Sequence, residues 1–312
     1  LTRLESIDYT TPQFYMYQNL PDKLIIAMGV AYEIHRVISV GIGFQLLAKL
    51  SGTADFSISL LDKRINKKNL KVDLFATIAP TAGILLRPVR GLRIGISYRG
   101  ALQLSFSLPL NVVLDEIGAL DFKIKGVGLY TPHQINFGVS YEFRYPKIRI
   151  SAGVTWAMWS RAPSPSAAID IKLDDTKLNP NAPTPASIID VHSPNVKLNA
   201  KDILIPRVGI EYVVLEWLTL RGGYFYRPTP LPNQVYETNY IDNEAHTISL
   251  GAGFAWYDKF ERTRGLVVVD LVGQLTILMP RSIGKVLPND PVGGYTSKGV
   301  IFNLGIEFRH DF

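Results

Sequence analysis

The five histidines are the first residues to test for catalysis or metal binding, because histidine is the commonest acid-base group and metal ligand. They lie on separate segments, none beside a serine nucleophile or a carboxylate pair, at His35, His133, His192, His246 and His310. There is no cysteine, no metal-ligand spacing and no glycine-rich phosphate loop. We therefore expect no enzyme, metal or cofactor; a triad assembled from distant strands is the alternative that the sequence leaves open.

Arginine and glutamate recur at one parity of alternating segments, where they could bind a ligand carboxylate or pair with each other. The arginines are Arg93, Arg99, Arg149, Arg207, Arg221 and Arg309, and the glutamates are Glu33, Glu142, Glu211 and Glu307. We expect most of them to form structural ion pairs. Which of the two roles applies depends on the elements that carry them.

Those elements are strands, because large apolar residues alternate strictly with small or polar ones. In residues 134–143 the apolar parity carries Phe137 and Val139, whereas the other parity carries Gly138 and Ser140. Such segments run for about ten residues, longer than most strands of soluble proteins. Length and a glycine-rich polar parity together predict an antiparallel transmembrane β-barrel with a crowded, wet interior.

Eleven strands are predicted, joined by alternating short turns and long loops as in outer-membrane barrels. They span residues 22–34, 37–50, 70–88, 91–107, 122–143, 146–160, 202–214, 217–228, 246–257, 265–279 and 297–312. The long loops are predicted at 51–69, 108–121, 161–201, 229–245 and 280–296. Aromatic residues at the strand ends indicate two interfacial girdles. We expect one barrel domain over 1–312, located in the bacterial outer membrane and in contact with its lipid.

An odd strand number places the two ends of the chain on opposite sides of the membrane, whereas bacterial barrels normally have even numbers. We expect that N-terminal strands are missing or that residues 1–20 form another strand, which gives 11 or 12. The chain starts at Leu1 without a leader, so any signal peptide is expected to have been removed or to lie outside the given sequence.

Bulk composition excludes two other classes. No run of about 18 apolar residues is present, which excludes transmembrane helices. The net charge is +6 with a pI near 9.3, but the bases are scattered and only residues 62–68 form a dense cluster. No nucleic-acid-binding signature accompanies them, so we expect no nucleic-acid partner. A solvated loop, or one facing anionic lipid, explains the cluster.

From Val72 onward the chain resembles the FadL family of outer-membrane transporters for long-chain fatty acids and hydrocarbons. The resemblance is carried by APTAGILLRPVRGLRIGISYRG (79–100), LYTPHQINFGVSYEF (129–143), VTWAMWSR (154–161), RVGIEYVVLEWLTLRGGYFYRPTPLP (207–232), NEAHTISLGAGFAW (243–256) and IFNLGIEFRHDF (301–312). It implies a barrel of fourteen strands, of which the chain matches the fourth to the fourteenth. The lumenal hatch and the kinked third strand of the family have no counterpart here.

The resemblance also implies an external capture groove for hydrophobic ligands between loops 51–69 and 108–121. Its candidate residues are Leu60, Leu61, Leu108, Leu110, Val112, Val113, Leu114, Ile117 and Leu120. The alternative is that these residues only extend the strands into a β-ribbon above the membrane. Arg99, in the family-like SYRG, is the candidate partner for a ligand carboxylate. Lys197 and Lys201 are further candidates, since related chains carry bases there.

Passive uptake of a hydrophobic small molecule, such as a long-chain fatty acid, is the function that these patterns favour. The solute would bind the external loops, enter the barrel and leave sideways through the wall. A diffusion pore for polar solutes and a purely structural barrel are the alternatives. Passive uptake predicts saturable binding with low conductance. A diffusion pore predicts steady ion conduction, and a structural barrel predicts neither.

Overall fold

A computed structural model gives the structure of the protein. It describes residues 12–14, 25–59, 64–114, 118–164, 168–174, 187–193, 197–236, 238–257, 266–288 and 290–310. Within these ranges the regular elements are strands, apart from one short 3-10 turn at Trp159–Arg161. None of the described residues form a helix long and apolar enough to span a bilayer.

The described strands, in chain order, are β1 (Gln13–Phe14), β2 (Ile25–His35), β3 (Ile38–Ser59), β4 (Arg64–Leu86), β5 (Leu92–Arg99), β6 (Leu102–Leu114), β7 (Gly118–Thr131), β8 (Gln134–Glu142), β9 (Ile148–Ala157), β10 (Ala168–Asp174), β11 (Ser187–His192), β12 (Ile203–Leu215), β13 (Leu218–Arg227), β14 (Tyr240–Ile241), β15 (Ala245–Tyr257), β16 (Leu266–Ile283) and β17 (Tyr295–His310).

Eleven of these strands form the wall, as the alternation predicted. Their spatial order is β2-β3-β4-β5-β8-β9-β12-β13-β15-β16-β17, and every neighbouring pair is antiparallel. Strands β2 and β17 are the edges of this wall within the described part of the chain. The short turns account for the pairs that they join, such as β8 with β9, because a tight turn joins a strand to an antiparallel neighbour.

The register places one chemistry on each face of the wall. Across β8 and β9, Phe137 is opposite Val154, while Gly138 is opposite Gly153. The apolar parity points away from the lumen and is uncovered: Phe137 is 46% exposed and Ile306 on β17 is 78% exposed. A continuous surface of this kind is what a lipid-facing barrel wall requires.

Two predicted strands are interrupted, so the prediction of continuous strands over 91–107 and 122–143 was wrong. Strand β5 ends at Arg99 and β6 begins at Leu102. At the break, a Cβ on Gly100 would lie 2.7 Å from Cδ of Pro80, so only glycine fits this close approach. The second break lies between β7 and β8, where Pro132 cannot donate to the ladder.

The predicted loops at 51–69 and 108–121 are largely strands, as is part of 161–201. Strands β3 and β4 extend as a long hairpin, and β6 pairs in parallel with the far end of β3, with residue 54 opposite Leu110. Strands β7, β10 and β11 continue this second region in the order β6-β7-β10-β11. The alternation simply continues beyond the wall, so pairing satisfies backbone groups that a loop would leave to water. The β-ribbon alternative describes this backbone.

The segment from residue 228 to 244, called the inward loop below, packs into the molecule. Leu198, Leu231 and Tyr240 form a buried cluster. Strand β14 of this loop pairs in parallel with β1, at Gln13 with Tyr240. The described part of residues 1–20 therefore contacts the inward loop; the rest of that predicted extra strand lies outside the described residues.

A candidate ligand site in the barrel lumen

A belt of small residues lines the middle of the wall on its inner face. Gly95 is opposite Gly138, Gly138 is opposite Gly153, and Gly209 is opposite Gly223. With few side chains projecting inward, the inner face of the wall carries an open cavity of about 1110 Å³ that touches nine strands, from β2 to β15. This volume exceeds that of most small-molecule sites, whose range is roughly 300 to 1,000 Å³.

A ladder of ion pairs crosses the inner face near the short turns. It consists, in wall order, of Arg93, Glu142, Arg149, Glu211, Arg221 and Asp270. Arg149 bridges Glu142 at 2.8 Å and Glu211 at 3.0 Å. Arg221 then reaches Glu211 at 2.8 Å and also Asp270. A separate pair joins Arg87 to Glu33 at 3.1 Å.

Three of the six arginines predicted to face inward, Arg93, Arg149 and Arg221, are each paired with a carboxylate, as the structural interpretation expects. Sequence reasoning missed Arg87 and Asp270, although both follow from parity. Arg87 shares the inward parity of Gly83 and Leu85 on β4, and Asp270 is opposite Glu307. Partly exposed pairs such as these each contribute about 0 to 1 kcal/mol, so their main effect is to neutralise this end of the lumen.

Above the glycine belt the lumen carries polar groups. Arg207 donates to the hydroxyl of Thr155 at 2.8 Å, and Thr155 donates to the side-chain carbonyl of Asn136 at 2.6 Å. Arg99 ends β5 on the same parity as Ser97 and lines a smaller cavity of about 480 Å³ beside Asn136. Its guanidinium has no hydrogen bond or ion pair with any described residue. In this respect it differs from the arginines of the ladder.

The inward loop is fastened to inward-facing residues at the long-loop end of the wall. Arg227 holds Asp242 in a buried ion pair at 2.9 Å. Arg281 donates to the backbone oxygens of Asp242 and Leu231 at 2.6 and 2.8 Å. Asn243 donates to the backbone oxygen of Ser297 at 2.8 Å. These contacts, made from β13, β16 and β17, hold the loop against the inner side of the wall at its long-loop end.

The candidate capture residues are only partly described. Leu60, Leu61 and Ile117 lie outside the described residues, and Leu114 is the last residue of β6. Leu120 on β7 is half-buried and lies opposite Val112 and Leu173.

The two lysine candidates are separated from the ladder. Lys197 and Lys201 are exposed and lie just before β12. The backbone nitrogen of Lys201 donates to the carbonyl of Pro230 in the inward loop at 2.8 Å. Lys201 therefore lies beside the inward loop.

Comparison with known proteins agrees with this geometry. The chain is 24% identical over 287 residues to alkane uptake protein A of Marinobacter nauticus, covering 86% of the chain and 58% of the relative. The chain thus spans little more than half the length of this curated relative.

Two solved structures share the fold. A FadL homologue from Pseudomonas aeruginosa has a TM-score of 0.52 and 14% identity, covering 92% of this chain and 67% of that one. The toluene transporter TodX of Pseudomonas putida has a TM-score of 0.51 and 13% identity, covering 91% of this chain and 68% of that one. Residues 22–261 match the family described as outer membrane protein transport protein (OMPP1/FadL/TodX). The chain belongs to this family of outer-membrane β-barrels.

Proposed function

We propose that the protein takes up hydrophobic small molecules passively across the outer membrane. The observation that carries the proposal is the combination of a cavity of about 1110 Å³ with an inward loop fastened to the inner side of the wall at its long-loop end, where we propose that it narrows the outer mouth. A general diffusion pore needs a wet, polar path, whereas a channel that binds apolar solutes needs an apolar surface, and most of the lining surface of this cavity is apolar. Burial of about 0.8 kcal/mol per CH₂ drives an alkyl solute into such a site without an energy source. Transport requires no catalytic residue.

The ion-pair ladder supports sideways exit through the wall. An apolar solute that left along the axis would have to displace the hydration of six charged groups at the short-turn end. Removing water from charges without replacing its hydrogen bonds is strongly unfavourable. The outer face of the wall, by contrast, meets lipid, in which an apolar solute dissolves.

Two similar proteins are named for the uptake of alkanes and the transport of toluene, and neither of these solutes carries a charge. A long-chain fatty acid would place its carboxylate at the guanidinium of Arg99, which pairs with no residue in the described part of the chain. A hydrocarbon would use the same cavity without that contact. We propose that both classes enter and that Arg99 discriminates in favour of fatty acids.

The test is uptake of radiolabelled hexadecane and palmitate into proteoliposomes, with conductance recorded in planar bilayers. We expect saturable uptake of both solutes and low conductance. Arg99→Met should weaken palmitate uptake by roughly tenfold, the loss of one charge-assisted contact, and leave hexadecane uptake unchanged. Steady high conductance without saturable uptake would instead identify a diffusion pore.

A further inference from the structure

The sheet formed by β6, β7, β10 and β11, called the outer sheet below, has one wholly apolar face among its described side chains. Two rows cross all four strands in register. The first row is Leu110, Phe122, Ile171 and Val191, and the second is Val112, Leu120, Leu173 and Ile189. Ile124 and Ile169 add a third pair. The apolar residues of β10 and β11 lie outside the two loops, 51–69 and 108–121, that were predicted to capture ligand.

The opposite face of the outer sheet is charged, and its charged groups pair with one another. His192 places Nδ1 2.9 Å from Asp170 and Nε2 2.9 Å from Asp190. Lys125 and Lys172 pair with the same two carboxylates at 3.7 and 3.5 Å. The charged face therefore contacts water, and the apolar face is the one that could contact a hydrophobic surface.

Three of the ten side chains of the apolar face are exposed, all of them on β10 and β11, and the other seven are half-buried. Val191 is 52% exposed, and Ile169 and Ile189 are each 40% exposed. In a soluble sheet a second layer would cover such a face. A large exposed apolar face usually marks a surface on which something binds.

The apolar face is continuous with the lipid-facing side of the wall. Strand β3 keeps one register against β4 from Ile38 as far as residue 57. The parity of β3 that carries the lipid-facing Ile42 also pairs, at positions 54 and 56, with Leu110 and Val112 of the outer sheet. About ten strand residues cross a bilayer, and β3 has 22. Its apolar parity thus leads from the membrane to the outer sheet.

We propose that the apolar face of the outer sheet docks on the surface of an extracellular hydrocarbon droplet. Four strands spaced about 4.8 Å apart give a face roughly 14 Å wide, several times the width of one alkyl chain. A single chain lying on an open sheet would be covered on one side only, whereas a hydrocarbon surface contacts every exposed side chain at once. This inference rests on the proposed uptake of hydrophobic solutes and adds where the solute is collected.

The test compares two deliveries of the same alkane to outer-membrane vesicles that contain the protein. Labelled hexadecane is supplied either as emulsified droplets or as a dilute cyclodextrin complex. The test variant is the triple substitution Ile169→Thr, Ile189→Thr and Val191→Thr, which keeps β-branched side chains and hence strand propensity. The matched control is Lys123→Thr, on the charged face of the same sheet. Heat-modified gel mobility checks that each variant is folded.

We expect the triple variant to lose droplet adsorption and droplet-fed uptake by roughly tenfold or more, while uptake from cyclodextrin stays at the wild-type rate. Lys123→Thr should match the wild type in both. Unchanged droplet adsorption in the folded triple variant overturns the inference and leaves the proposed function intact. Equal loss from both deliveries also overturns it, since the face would then be a single-solute site. Wild-type protein that takes up hexadecane from neither source would overturn the proposed function itself.

Discussion

Arg227 grips Asp242 with two guanidinium nitrogens, Nη1 at 3.0 Å and Nη2 at 2.9 Å from the two carboxylate oxygens. The carboxylate is completely buried and the guanidinium nearly so. The pair connects a wall strand to the inward loop, and bidentate geometry of this kind fixes orientation as well as distance. It is therefore the contact at which one substitution should release the inward loop from the wall.

We expect Asp242→Asn to loosen the inward loop and raise ion conductance. Removing one partner of a buried pair leaves an uncompensated charge, which costs about 3 to 5 kcal/mol. The measurement is single-channel conductance in planar bilayers. Glu33→Gln, which breaks the exposed pair with Arg87, is the control and should leave conductance at the wild-type level. If both variants conduct like the wild type, the inward loop does not close the mouth.

The geometry of the glycine belt predicts that two glycines opposite each other differ in how well they tolerate an added methyl group. A Cβ on Gly153 would lie 2.9 Å from the backbone oxygen of Phe137, so the wall must shift. A Cβ on Gly138 would meet its nearest neighbour, the backbone oxygen of Ala152, at an ordinary 3.8 Å. Gly153→Ala should destabilise the barrel by about 1 to 3 kcal/mol, and Gly138→Ala by less than about 0.5 kcal/mol. Urea unfolding in lipid vesicles measures both; equal stability of the two variants would contradict the packing described.

The lipid-facing parity can be tested with one charge placed on either face of β8. Phe137→Arg puts a guanidinium into hydrocarbon and should cost about 2 to 4 kcal/mol if the residue lies near the midplane. Ser140→Arg puts the same group beside the lumenal cavity, where water can hydrate it, and should cost much less. Folding yield and unfolding free energy in bilayers distinguish the two. A larger loss for Ser140→Arg would reverse the assignment of the faces.

The wall could be predicted from sequence because its signal is local. Alternation in segments such as 134–143 determines both the strand and the face of each side chain, and short turns determine which strands are neighbours. The same alternation predicted that Arg149 and Glu142 point inward. Parity alone does not select partners, so the pairing of Arg221 with Asp270 required the register across β13, β15 and β16.

The inward loop and the outer sheet could not be predicted in the same way. Asp242 reads as an ordinary loop residue, and its burial depends on Arg227 and on the backbone contact from Arg281, 39 residues away. Strands β10 and β11 are short and lie within a segment rich in proline and aspartate, where turn residues mask the alternation. Pairing with β7 selects the strand conformation there, because the edge of β7 offers unpaired backbone groups.

The charged face of the outer sheet predicts that the local stability of its edge strands, β10 and β11, depends on pH. The hydrogen bond from His192 lowers the pKa of Asp170 below its ordinary value of 3.8, and the charges of Lys125 and Lys123 act in the same direction. A depressed carboxyl pKa stabilises the fold above the ordinary value, and that stabilisation is lost as the pH falls through the folded value. Asp190, Lys172 and Asp121 also face this cluster.

Backbone hydrogen exchange in β10 and β11 should therefore stay slow at about pH 5 and accelerate below about pH 3.8 relative to the intrinsic rate. Strands β15 and β16 serve as the internal control, and Asp170→Asn should exchange faster already at about pH 5 with a smaller change on acidification. The same steep acid response in Asp170→Asn would show that another group governs this edge.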